Sequence, residues 1–96
     1  MSPLKRKKLS KIRFELDKLD NTLINVIKKR TNLVKKVLAL KDKKNQIVDQ
    51  KRIRTILTNI RKKSLKNNID PKITNRIWKN MIWSYIDYEK RNFKKK

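Results

Sequence analysis

Arg30 and Lys41 lie eleven residues apart in the first half of the chain. At about 100° per residue, eleven steps bring a helix back to nearly the same face. On such a helix the two cations stand about 16 Å apart along the axis, so their long side chains can lean toward a small anion between them. Arg13 is seventeen residues before Arg30, about 25 Å along the same axis, and cannot reach that anion. A set of this kind does electrostatic chemistry: it can hold a small anion and stabilise its negative charge. Taken singly, each cation has a plainer explanation, that it snorkels from the edge of an apolar stripe. Near the other end, Trp78, Ile82, Tyr85 and Glu89 fall at heptad-like spacing and place a carboxylate on the face that should be buried. An ion pair with a core-edge cation is its plain alternative. Asp17 and Asp20 could pass for an acid–base pair, but three residues apart in a cation-rich helix they read as partners of Arg13, Lys18 or another helix. Trp78 belongs to an apolar stripe and reads as core rather than as a platform for bases, a use Trp83 also invites.

Three elements must position these residues. Pro3 and the basic run after it read as a solvated arm, residues 1–8. From about Ser10 the positions Ile12, Leu16, Leu19, Leu23, Val26, Ile27, Leu33, Val34, Val37 and Leu40 recur at helical steps without a breaker. A helix of roughly thirty residues is about 45 Å long, whereas a domain of this size has a radius of gyration near 13 Å. Such a helix cannot bury its stripe within its own monomer. If two copies pair antiparallel about a two-fold axis, Arg13 of one comes near the Arg30 to Lys41 region of the other, and each site is completed in trans. Residues 43–48 are polar and aperiodic, and Asp49 is a good N-cap for a second helix carrying Ile53, Ile56, Leu57, Ile60 and Leu65. Asn67-Asn68 suits its end, and Asp70-Pro71 opens a third helix lined by Ile73, Ile77, Trp78, Met81, Ile82, Tyr85 and Ile86. The expected fold is all-α, one long and two shorter helices over residues 9–93, followed by a basic tail, residues 94–96.

Composition narrows the chemistry. Cys, His and Gly are absent, which removes disulfides, thiolate and imidazole metal sites, imidazole acid–base catalysis and glycine-dependent phosphate loops. No metal or cofactor is expected. No apolar run is long enough for a signal peptide or a membrane span, and a cytoplasmic protein is expected. The net charge of +22 suggests nucleic-acid binding through Lys5 to Lys8, Lys28-Lys29-Arg30, Lys35-Lys36 and the terminal lysines. Lysine, Asn and Ile are overused together, however, as A/T-rich codons would produce in any protein, and the cations surround the helices. Nucleic acid is therefore not the expected partner.

The run Ile12-Arg13-Phe14-Glu15-Leu16-Asp17-Lys18-Leu19-Asp20, then Lys29-Arg30, Val37 to Lys41, Asp49-Gln50-Lys51-Arg52 and Asn68-Ile69-Asp70-Pro71 resembles the all-helical class of chorismate mutases over about residues 9–93. The resemblance implies an intertwined homodimer with two equivalent sites that rearranges chorismate to prephenate. It implies that Arg13 reaches one substrate carboxylate from the partner and that Arg30 holds a carboxylate within its own subunit. Lys41 would donate to the ether oxygen as that bond breaks, and Asp49 and Arg52 would shape the loop and the start of the second helix around the ligand. Glu89 stands where the third helix of the family supplies an amide, or sometimes Glu, to the ether oxygen. A donating Glu89 must carry a proton, so activity should rise as pH falls.

Ile53 stands where the mutase pattern has a Glu that accepts from the substrate ring hydroxyl. An aliphatic residue there, with Met81-Ile82-Trp83-Ser84-Tyr85-Ile86 and Tyr85 in place of a small hydroxyl residue, resembles the isochorismate–pyruvate lyases of the same fold. The alternative reaction is thus loss of pyruvate from isochorismate to give salicylate. A catalytically degenerate mutase-like dimer and a helical nucleic-acid-binding protein are the remaining readings.

Overall fold

Ser2 and Pro3 start the first helix, α1 (Pro3–Ala39), earlier than the apolar periodicity indicates. In the computed structural model, which describes residues 1–95, the Ser2 hydroxyl accepts from the Lys5 N–H at 3.2 Å, and the Ser2 carbonyl accepts from Arg6 N–H at 2.9 Å. A hydroxyl N-cap followed by Pro at the first helical position is a start signal of the same kind as Asp70-Pro71. The residues expected as a solvated arm are thus helical from Pro3, because capping needs no apolar face. Lys96 of the basic tail lies outside the described residues.

The chain divides into two compact units, Met1–Leu33 and Val34–Lys96. The first is the greater part of α1. Its stripe faces solvent: Ile12, Leu16, Leu19, Leu23, Val26, Ile27 and Leu33 are all exposed, and α1 has no buried residue.

The second unit contains the last turns of α1, a 3₁₀ turn (Lys44–Gln46), α2 (Gln50–Lys66) and α3 (Pro71–Asn92). The Asp49 side chain caps α2 by accepting from Arg52 N–H at 3.0 Å, and Asp70 caps α3 by accepting from Lys72 N–H at 2.9 Å. At the end of α2, Asn68 has φ 56°. Asn68 N–H reaches the Leu65 carbonyl at 3.3 Å and Ile69 N–H the Ser64 carbonyl at 2.9 Å, the paired closure of a Schellman motif. Asparagine tolerates this left-handed position where β-branched residues do not.

α2 packs on α3. The core is Ile47, Ile82 and Ile86, with Leu38, Val48, Ile53, Ile56, Leu57 and Phe93 against it. Ile47 departs from the polar, aperiodic connector expected of residues 43–48, since it is 3% exposed and belongs to the core. One apolar side chain in an aperiodic segment carries no period, so its burial could not be read from spacing. Ser64, also 3% exposed, donates to the Ile60 carbonyl at 2.6 Å and lies 2.6 Å from the Thr74 hydroxyl, linking α2 to α3 through satisfied polar groups.

Candidate active site

Lys41 and Glu89 come from opposite ends of the second unit and meet in it. Lys41 Nζ donates to Glu89 Oε2 at 3.0 Å, with side chains 19% and 7% exposed. At that burial the pair is shielded from water and salt far better than a surface ion pair, and the hydrogen bond is charge-assisted. Glu89 owes its place to α3: Ile82, Ile86 and Glu89 follow at helical steps and are the buried residues of that helix. The heptad-like spacing therefore located a buried carboxylate, and its partner is one of the two cations singled out by helical phase.

Lys41 lies just past α1, which ends at Ala39, so the expectation that Arg30 and Lys41 share a face of one helix fails at Lys41, where local hydrogen bonds hold the chain instead. Its own N–H donates to the Leu38 carbonyl at 3.1 Å. Gln46 Oε1 accepts from the N–H groups of Asp42 at 2.8 Å and Lys43 at 2.9 Å, while Gln46 N–H donates to the Lys43 carbonyl at 3.1 Å. One amide oxygen thus closes the turn that follows Lys41. Sequence reasoning passed over Gln46. Its signal is a Gln three residues after the position preceding a helical turn, the second half of a capping box. The first half is missing, because Lys43 has no acceptor to offer.

Tyr85 is half-buried on α3, one turn before Glu89. Asp49 and Arg52 are exposed at the start of α2, joined through the backbone N–H of Arg52. Arg13, exposed, and Arg30, half-buried, belong to α1 in the first unit. Seventeen residues of one helix separate them, about 25 Å, so a single small anion cannot touch both on one chain.

Residues 12–90 match the family described as chorismate mutase type II. The chain belongs to this family. Neither the curated proteins nor the solved structures searched give a match. The matched span contains α2 and most of α1 and α3, so the all-helical class expected from the sequence is the fold observed. Chorismate mutase activity follows at the level of the family. Among the described residues, no helix is long and apolar enough to cross a membrane.

An ammonium has three donors and no acceptor, so with one hydrogen on Glu89 Lys41 keeps others for a further acceptor.

Proposed function

We propose that this protein rearranges chorismate to prephenate as an intertwined homodimer, with Lys41 donating to the breaking ether oxygen. The observation that carries this reading is the largely buried Lys41–Glu89 ion pair at 3.0 Å, formed by residues at the positions that address that oxygen in the family. The reaction is intramolecular, so the protein need only hold the compact substrate conformer and stabilise the oxygen that becomes anionic. Arg30 binds one carboxylate within its subunit and Arg13 reaches the other from the partner. Asp49 and Arg52 frame the entrance of α2, and Tyr85 lines the α3 side. No cofactor takes part.

The exposed stripe of α1 supports the dimer. Fully burying a Leu, Ile or Val side chain contributes about 1.5–3 kcal/mol. Seven stripe residues between 44% and 60% exposed therefore offer several kcal/mol of stabilisation to a partner helix, before the entropy of association is subtracted. Leu19→Lys with Leu23→Lys should turn the dimer into monomers at micromolar concentration and remove activity with it. Sedimentation of the variant as an active dimer would contradict the arrangement.

Glu89→Gln tests the acid. Glu89 is 6% exposed and its carboxylate lies 3.0 Å from Lys41 Nζ; the amide keeps an acceptor for Lys41 and adds a donor, so turnover should persist. Loss of turnover in that variant with the fold intact would assign the carboxylate charge itself to the reaction.

Ile53 favours the lyase as second reading. It packs against the core and offers no acceptor to a ring hydroxyl. Incubating the purified protein with chorismate and with isochorismate, and following prephenate and salicylate, separates the two. Salicylate from isochorismate without prephenate from chorismate would replace the mutase by the lyase. Binding of either substrate without turnover would mark a degenerate dimer.

A further inference from the structure

We infer that the solvent face of α2 is a binding strip for the phosphate backbone of nucleic acid, separate from the candidate active site. α2 contains seven cations, Lys51, Arg52, Arg54, Arg61, Lys62, Lys63 and Lys66, and no acid, although the chain has eight acids. The fold then sorts these cations by face. Ile53, Ile56 and Leu57 turn into the core. Lys51, Thr55, Thr58 and Lys62 recur on the opposite face at three- and four-residue steps, flanked by Arg54, Asn59 and Arg61, and all seven are exposed.

Two open surface depressions lie along this face. One of about 250 Å³ is lined by Lys51, Arg54, Thr55, Thr58 and Asn59. The other, about 330 Å³, lies between α2 and α3, and its polar lining is Thr58, Arg61, Lys72 and Asn75. Thr58 belongs to both. Cations interleaved with hydroxyl and amide side chains are the groups that contact phosphate and sugar in nucleic-acid complexes. From Lys51 to Lys62 the strip is about 16 Å long, long enough to meet several phosphates of a duplex that carries one charge per about 3.4 Å of axis on each strand. Lys51, Arg54, Arg61 and Lys62 lie along it, and Lys72 of α3 lines the depression beside Arg61.

The other polyanions fit less well. A membrane surface calls for apolar side chains to insert beside the cations, and the two turns from Lys51 to Asn59 present only Thr and Asn between theirs. A compact anion calls for convergence on one point, whereas these cations are spread over three turns. Arg52, placed in the candidate active site, is not counted in the strip. On α2 the buried side is apolar, so its cations share the exposed side.

The test is binding of the full chain to a fluorescently labelled mixed-sequence DNA duplex, followed by anisotropy across a salt series. Lys51→Gln with Arg54→Gln and Arg61→Gln should weaken binding roughly tenfold or more and lower the slope of log K against log salt by about 2–3. Lys5→Gln with Lys7→Gln and Lys8→Gln removes the same net charge from α1 and should change affinity less than threefold. Equal losses in the two triple variants would overturn the strip in favour of bulk charge. Displacement of the duplex by millimolar inorganic phosphate would overturn it in favour of a small-anion site. So would binding to anionic phosphatidylserine vesicles through α2 without binding to the duplex. Helicity by circular dichroism and turnover of chorismate are expected to be unchanged in the α2 variant. Should that variant fail to fold, Lys51→Gln and Arg54→Gln singly must each lower the slope by about 1, and an unchanged slope in both overturns the proposal.

Discussion

Lys41→Ala is expected to lower kcat by about 10²–10³-fold, the usual effect of removing one preorganised donor from an oxygen that becomes anionic. The same substitution strands a carboxylate that is 6% exposed, and breaking a buried ion pair from one side typically costs about 3–5 kcal/mol of stability. A chain of 96 residues has little stability to spare, so loss of activity alone would not separate catalysis from folding. Lys41→Ala combined with Glu89→Gln does separate them. It leaves no unpaired charge in the site, and the fold should recover, as thermal unfolding would record. If Lys41 serves the ether oxygen, the double variant stays as inactive as the single one. If Lys41 serves only to neutralise Glu89, activity returns with the fold. Full activity in Lys41→Ala itself would end the assignment outright.

Mixing two inactive variants, Arg13→Ala and Arg30→Ala, should restore about a quarter of wild-type activity after subunit exchange. Random pairing makes half of the dimers mixed, and a mixed dimer has one site with both arginines native and one with neither. This follows only if Arg13 acts across the two-fold axis. If both arginines served the same subunit's site, every site in the mixture would lack one of them and nothing would be restored. The about 25 Å between them along α1 is the reason to expect restoration, because no small dicarboxylate bridges it on one helix. Unmixed, each variant should lose at least about 10²-fold in kcat/KM, since a charged hydrogen bond to a carboxylate is removed.

How much was legible in the sequence differs by residue. Helix boundaries marked by a side-chain cap were readable wherever the cap was looked for: Asp49 and Asp70 accept the backbone N–H groups their positions called for, and Asn68 takes the left-handed φ. Ser2-Pro3 carried the same information, and the apolar pattern, which begins later, hid it. The Glu89 burial was legible because a helix repeats its faces, and period 3.6 needs no knowledge of the neighbours. Gln46 and Ile47 were illegible for the opposite reason. They sit in a short turn with no period, where an amide can face solvent or close a ring and an isoleucine can be exposed or central. Only the surroundings choose.

The sequence by itself determined an all-helical chain of three helices, the order of those helices, the absence of imidazole and thiolate chemistry, and the buried face on which Glu89 stands. These follow from local capping and periodicity, which act within a few residues. Only the tertiary structure decided that Lys41 pairs with Glu89 at 3.0 Å, that Gln46 closes the turn behind Lys41, and that Ile47 completes the core. Each of these joins residues from different elements or chooses between equal local options. Packing makes that choice, because burying the apolar side of one helix on another fixes which polar groups must then find each other.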